Sequence, residues 1–222
     1  MIADEGGWGM RPEDEQDTDD LPSTSWAVLG ILTYGFELTG NDVKRWADYA
    51  LAFFYWSPSV SQVYSELKKL EKLGLVSSRV IREPGERAKR VYVITDQGAA
   101  AVQSWAHSVD MDPPVLKHGL ILRLWMGNMS DPARLKSLVE THIANTESQL
   151  LRARSDEAEA GDEPAWAYVR LTLRWSVRRL ESELAIARDL LADIDTAAEE
   201  LSHATVVNRH GVPVPPHFRA RL

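Results

Sequence analysis

The segment from residue 58 to residue 94 most constrains the fold, because a helical pattern in it passes directly into two strand patterns. Pro58 disfavours helix at the residue before it, so a helix begins at Pro58 or Ser59. Its apolar residues recur at helical spacing and are Val60, Val63, Tyr64, Leu67, Leu70 and Leu73. Gly74 is placed to end the helix as a left-handed cap. The sequence therefore predicts a helix over 58–73 followed at once by β-structure.

Two strands are predicted after Gly74, over residues 75–82 and 87–94. The loop between them contains Pro84 and Gly85, which favour a turn, so the strands form a hairpin. The basic residues at the tip and base of this hairpin are Arg79, Arg82, Arg87, Lys89 and Arg90. The hairpin therefore presents a strongly basic surface.

Three further helices surround this segment. The first covers 26–34 and lacks a polar face, so other elements must enclose it. The second begins at Thr39, with Asp42 three residues later in an approximate capping box. The third covers 96–107 and follows the hairpin. Three helices, a basic hairpin and a closing helix are the element order of a winged helix.

The C-terminal half is predicted to be helical. Asp112-Pro113-Pro114 breaks the chain and marks a domain boundary. Helices are expected over 115–126, from Pro132 to about 155, and from Pro164 to about 194. The predicted domains are an acidic disordered extension (1–22), a DNA-binding domain (23–110), a helical domain (113–195) and a flexible tail (196–222).

The distribution of charge matters more than the net charge of −8. Residues 1–22 carry eight acids and one arginine, which favours disorder. Residues 23–106 carry ten Lys and Arg against eight acids, so this part is locally basic. Binding of nucleic acid requires a local basic surface and not a basic protein.

Several classes of function are disfavoured. The chain has no cysteine, no Gly-rich phosphate loop and no Gly-x-Ser-x-Gly or His-Glu-x-x-His motif. Its six histidines (107, 118, 142, 203, 210 and 217) show no ligand spacing. We therefore expect no catalytic residue, no metal site and no cofactor. The absence of a signal peptide and of about 18 consecutive apolar residues predicts a soluble, cytoplasmic protein without a membrane partner.

The motifs together resemble the PadR family of transcriptional regulators, well over 25–106 and loosely over 115–195. The matching segments are Leu29-Gly30-Ile31-Leu32, Phe54-Tyr55-Trp56-Ser57-Pro58-Ser59, residues 63–76 and residues 87–98. The chain departs from the family at Asn41, where a tyrosine is common, and at Ser65, where many members have proline.

The resemblance implies a mainly α fold: a winged helix-turn-helix with a two-stranded β wing, plus a C-terminal antiparallel helical dimerisation domain. It also implies a repressor that binds a palindromic operator on double-stranded DNA as a homodimer and is released by a small aromatic effector. The alternative is a winged-helix protein-interaction module without sequence-specific DNA binding.

The predicted DNA contacts lie on the helix over 58–73 and on the wing. Gln62 can address an adenine through both amide atoms, and Lys68 can hold a phosphate. The full set is Ser59, Ser61, Gln62, Tyr64, Ser65, Lys68, Lys69, Arg82, Arg87, Lys89 and Arg90. A core role for Tyr64 is equally favoured. A solvated helix face and a charged strand edge are the alternatives for the rest.

Two further sets of residues are expected in the helical domain. An a/d seam on the last helix predicts dimerisation, with packing against the preceding helix of the same chain as its alternative. Its residues are Leu173, Val177, Leu180, Leu184 and Leu191. Trp125 and Trp175 are candidates to line a pocket for a small aromatic effector, with ordinary packing as the alternative.

Overall fold

The computed structural model describes residues 21–55, 57–82, 84–85, 87–107 and 113–219. The chain divides into two compact units, residues 1–111 and 112–222, and this division is close to the predicted domain boundary. In the described residues, no helix combines the length and the apolar character that are needed to cross a membrane.

The first unit is mainly helical. Its helices are α1 (Ser23–Leu32), α2 (Gly40–Ala50), α3 (Val60–Lys72) and α4 (Asp96–His107). Its strands are β1 (Leu38–Thr39), β2 (Val76–Ile81) and β3 (Lys89–Ile94). The sheet is antiparallel with the order β1-β3-β2, so it has three strands where two were predicted. The strand β1 was missed because two residues are too few to show an alternating pattern.

The core of the first unit forms around α1, as its lack of a polar face predicts. Leu29 and Leu32 are fully buried and belong to one apolar cluster with Val63 and Leu67 of α3. Leu21 also belongs to this core and is only 8% exposed. Leu21, which was predicted to belong to the disordered extension, is therefore packed in this core, while residues 1–20 of that extension lie outside the described residues.

The local helix signals are confirmed. Thr39 and Asp42 form a reciprocal capping box at the start of α2. Gly74 has a φ of 72° directly after α3, which a residue with a Cβ adopts only under strain. The helix α4 has the limits that were predicted. Local sequence signals thus account for the start of α2 and the end of α3.

The second unit contains α5 (Gly119–Trp125), α6 (Pro132–Glu159), α7 (Ala167–Ser202) and the short α8 (Pro216–Arg219). The helices α6 and α7 run antiparallel. Three ion pairs show this, because residues further along α6 pair with residues progressively earlier in α7. These pairs are Lys136–Asp195 (2.5 Å), Glu147–Arg188 (2.8 Å) and Arg154–Glu181 (2.6 Å).

The seam of α7 is buried within the single chain. Leu173, Leu180 and Leu184 are at most 4% exposed, and Val177 is 8% exposed. The facing residues of α6 include Val139 and Ala153, both fully buried. The alternative predicted for this seam, packing against the preceding helix of the same chain, is therefore what the structure shows for Leu173, Val177, Leu180, Leu184 and the half-buried Leu191.

The predicted flexible tail is largely folded. The helix α7 continues to Ser202, eight residues beyond its expected end, so the tail does not begin at residue 196. Asn208 Oδ1 then accepts hydrogen bonds from the backbone N–H groups of His210 and Val212, which closes a turn. A backbone bridge joins Val207 and Pro213. This side-chain turn is not visible in composition alone, which explains the wrong prediction.

Candidate nucleic-acid interface

The exposed face of α3 combines small polar residues at its start with lysines further along. Ser59, Ser61, Gln62 and Ser65 are all exposed, and so are Lys68 and Lys69. The opposite face is held in the core by Val63, Leu67 and Leu70, each at 0% exposure. The structure thus brings together the residues that were predicted on this helix.

Gln62 is one of the two residues that form the capping box at the start of α3. The Ser59 N–H donates to Gln62 Oε1 (2.8 Å), and the Gln62 N–H donates to Ser59 Oγ (3.2 Å). Ser59 Oγ also lies 2.9 Å from Ser61 Oγ. A two-atom contact from Gln62 to adenine therefore requires this box to open, whereas the amide Nε2 remains available without that change.

The two acids of α3 are turned towards neighbouring elements of the unit. Glu66 Oε2 accepts a hydrogen bond from Ser25 Oγ of α1 (2.6 Å). Glu71 accepts one from Ser78 Oγ of β2. Both carboxylates are half-buried, whereas Lys68 and Lys69 are exposed. The sorting of acids from lysines leaves a polar and basic outer face on α3.

Tyr64 lies at the boundary between core and surface. It is 37% exposed, and a Cβ built on Gly40 would lie 2.5 Å from its Cζ. Its ring therefore covers the first residue of α2, which must be glycine in this arrangement. Both of the roles weighed for Tyr64 remain compatible with this position.

The basic residues of the wing differ in the contacts that their side chains make. Arg82 and Arg87 flank the turn and are exposed, with no ion pair to another described residue. Lys89 is the first residue of β3 and is also exposed. Arg90 is engaged within the unit, since its Nη1 donates to Ser78 Oγ (2.7 Å) and lies 3.9 Å from Glu71 Oε1. Arg90 therefore ties β3 to β2 and α3.

Arg79 at the base of the wing is compensated by an acid. Its Nε and Nη2 donate to the two carboxylate oxygens of Glu37, each at 2.6 Å. The hydrogen bond from Arg79 lowers the pKa of Glu37 and in turn raises the pKa of Arg79. Less positive charge is thus available at the base of the wing than the sequence suggests.

In the second unit, Trp125 and Trp175 do not line the same pocket. Trp125 lines an apolar groove of about 1040 Å³ with residues of α5, α6, α7 and the C-terminal segment, including Leu124, Leu190, Ile194 and Phe218. Trp175 lies on α7 and is not one of the lining residues. It instead belongs to an exposed stripe with Tyr168 and Leu171, at 51%, 82% and 60% exposure respectively.

Three groups that could hold a metal ion come together in the second unit, where the sequence predicted none. They are His118, His142 and Glu183, whose ligand atoms lie within 4.8 Å of one another. Burial raises the pKa of Glu183, but hydrogen bonds from both histidines outweigh it, so the pKa lies below its ordinary value. No periodic spacing could have revealed this cluster, because His118 precedes α5 while His142 and Glu183 lie on α6 and α7.

Comparison with known proteins agrees with this geometry. Residues 33–104 match the model of the transcriptional regulator PadR-like family. These residues therefore resemble a PadR-like domain, and we refer to them as the PadR-like domain. The match covers α2, α3, the wing and most of α4, and hence every residue predicted to contact DNA. The negative transcriptional regulator PadR of Bacillus subtilis (strain 168) is 27% identical over 141 residues, which cover 63% of this chain and 76% of that protein.

Solved PadR structures share the fold beyond the PadR-like domain. Bacillus subtilis PadR in complex with operator DNA superposes with a TM-score of 0.67 at 23% identity, over 78% of this chain and 99% of that chain. The complex of the same protein with p-coumaric acid gives a TM-score of 0.62 at 23% identity, over 78% and 99%. The winged helix and the helical region after it are therefore the PadR fold.

Proposed function

We propose that this protein is a transcriptional repressor that binds double-stranded DNA through its PadR-like domain. The N-terminal end of α3 enters the major groove, and Arg82, Arg87 and Lys89 of the wing contact the adjacent backbone or minor groove. The observation that carries the proposal is the exposed polar and basic face of α3, whose two acids are engaged with Ser25 and Ser78. No catalytic role is proposed.

Repression is supported by the relative that is named a negative transcriptional regulator. Binding of a defined operator is supported by the similar structure in complex with operator DNA. In this mode Lys68 and Lys69 neutralise phosphates, while the amide of Gln62 meets a base edge. Arg90 is left to stabilise the wing rather than to contact DNA.

We propose that two copies bind a palindromic operator. One winged helix makes few base contacts, and two copies held about 34 Å apart read half-sites one helical turn from each other. Since α6 covers the α7 seam, the dimer contact belongs to the exposed stripe of Tyr168, Leu171 and Trp175. Aromatic side chains of this kind are enriched at protein interfaces.

We also propose that a small planar aromatic acid releases the protein from DNA. The support is the similar structure that contains p-coumaric acid and the apolar groove beside Trp125. Addition of p-coumaric acid to the full chain is expected to quench intrinsic fluorescence and to weaken operator binding. Trp125→Ala removes both effects, whereas Trp175→Ala keeps the release. Release that is undiminished in Trp125→Ala would exclude this groove.

Salt dependence tests DNA binding itself. Each phosphate contact contributes roughly 0.9 to the slope of log K against log salt concentration. Lys68→Ala combined with Lys69→Ala should therefore reduce the slope by about 1.8 for each bound chain, or about 3.6 for two chains on one operator, in a fluorescence anisotropy titration of promoter DNA. Lys136→Ala is the matched control, because Lys136 pairs with Asp195 in the second unit. An unchanged slope in the double variant would favour the protein-interaction module.

A further inference from the structure

A cluster of two histidines and a carboxylate lies outside every surface used above. His118 precedes α5, His142 lies on α6 and Glu183 lies on α7. The Nε2 atoms of both histidines contact the same carboxylate oxygen, Glu183 Oε1, at 2.8 Å and 2.7 Å. The two imidazole ring centres are 5.1 Å apart. We propose that these three residues bind a divalent first-row transition metal ion, for which Zn²⁺ is the probe.

The donor set defines the class of ion. Two imidazole nitrogens and one carboxylate oxygen suit zinc, cobalt, nickel or ferrous iron, whereas magnesium and calcium prefer oxygen donors alone. Ligand bonds of roughly 2.0–2.2 Å place tetrahedral donors roughly 3.4 Å apart. The donor atoms lie within 4.8 Å of one another, so an ion fits once the two short hydrogen bonds lengthen by about half an ångström and the more distant donors move closer together.

The degree of exposure indicates an open site. The side chains of His118, His142 and Glu183 keep 16%, 26% and 22% of their surface exposed. Three protein ligands with solvent access leave a coordination position for water, unlike a closed structural site with four protein ligands. Because the ligands are the N-cap residue of α5 and one residue each of α6 and α7, the bound ion would join the start of α5 to the α6–α7 pair.

A backbone hydrogen bond to His118 makes it possible to distinguish metal binding from a triad that is joined by hydrogen bonds alone. The Ile121 N–H donates to Nδ1 of His118 at 3.4 Å, so the neutral ring carries its proton on Nε2. Coordination through Nε2 moves that proton to Nδ1, which then cannot accept from Ile121. The bond that is given up is long and therefore weak. Metal binding thus has a local signature that a triad without metal lacks.

The test uses the full chain without an affinity tag. Titration calorimetry with zinc chloride is expected to give one ion per chain, and cobalt should give visible absorption from a site with nitrogen and oxygen ligands. On zinc addition the Ile121 amide resonance should shift in a ¹⁵N-labelled sample. Loss of an outer-shell partner alone costs roughly 10–100-fold in affinity, so His142→Ala should weaken zinc binding at least about 100-fold.

Two further variants complete the test. Glu183→Gln keeps a hydrogen-bond acceptor for the histidines but removes the charge, so the fold persists by circular dichroism while zinc binding falls. Replacing His203, His210 and His217 by alanine together is the control, since these residues lie in the C-terminal segment. Zinc binding that is lost in this control and kept in His142→Ala or Glu183→Gln would overturn the proposal, as would an unshifted Ile121 resonance at saturating zinc.

Discussion

Gly98 of α4 lies so close to Leu75 that a Cβ at residue 98 would be 2.1 Å from the Leu75 carbonyl oxygen and 2.9 Å from Ile94 Cγ1. The same carbonyl accepts a hydrogen bond from the Thr95 N–H (3.1 Å), so it is fixed in place. Gly98→Ala must therefore separate α4 from the sheet. We expect a loss of about 1–3 kcal/mol in the free energy of unfolding, typical of overpacking, measured by chemical denaturation.

Gly30→Ala is the matched control for this substitution. Gly30 lies inside α1, and a Cβ there would meet nothing within 4 Å. Alanine in a helix interior is favoured over glycine by roughly 0.5–1 kcal/mol, so this variant should be as stable as the parent or more so. Equal denaturation midpoints for Gly98→Ala and Gly30→Ala would contradict the close approach of α4 to Leu75.

A substitution in the capping box of α3 can distinguish an effect on the stability of the protein from an effect on its affinity for DNA. Gln62→Glu keeps an acceptor for the Ser59 N–H and adds a negative charge at a helix N-terminus, which favours the helix. The same charge repels DNA phosphates. We expect an unchanged or raised thermal midpoint together with a loss of operator affinity of at least about tenfold, consistent with the 1–3 kcal/mol of a base contact.

Gln103→Glu is the charge-matched control, because Gln103 is exposed on α4. It should change operator affinity far less than Gln62→Glu does. If both variants bind equally well, the N-terminal end of α3 does not face the duplex. Ser59→Ala, by contrast, should lose about 1 kcal/mol of stability, as other N-cap residues do.

Local signals explain why the first unit could be predicted well. The limits of α4, the capping box at Thr39 and the left-handed Gly74 all depend on residues within a few positions of each other. The short β1 could not be predicted, because Leu38 and Thr39 become a strand only by pairing with Tyr92 and Val91 of β3. Pairing over this separation leaves no local pattern.

The candidate site was predictable in its residues but not in their partners. The exposed face of α3 followed from helical periodicity. The engagement of Arg90 with Ser78 and Glu71 did not, because it joins three elements. His118, His142 and Glu183 likewise meet only through packing of the second unit. Sequence periodicity identifies which face is exposed, whereas tertiary contacts decide which polar groups on it are already occupied.

The capping box of α2 predicts a specific dependence on pH. The side-chain hydrogen bond from Thr39 Oγ1 (2.6 Å) holds the pKa of Asp42 below its ordinary value and outweighs the effect of burial, which raises it. A lowered pKa in the folded state stabilises the protein above the unfolded-state pKa, about 3.9. This stabilisation is lost as the pH falls below about 4 towards the folded-state pKa.

Asp42→Asn removes the titrating group and isolates this dependence. The difference in free energy of unfolding between the parent and Asp42→Asn should be constant above about pH 5 and should decrease as the pH falls below about 4. Urea denaturation at a series of pH values measures it. A difference that stays constant down to the acid limit of the fold would show that Asp42 does not titrate with a lowered pKa.

The two apolar stripes of α7 predict opposite phenotypes. Leu180 is 1% exposed against α6, so Leu180→Ala leaves a cavity and should cost about 2–5 kcal/mol of unfolding free energy. Leu171 is 60% exposed, so Leu171→Ala should change the stability of one chain little but raise the dimer dissociation constant at least about tenfold. Denaturation at fixed protein concentration and sedimentation velocity over a dilution series distinguish the two effects. A dimer that dissociates in Leu180→Ala with unchanged unfolding, and persists in Leu171→Ala, would return the buried seam to the interface between chains.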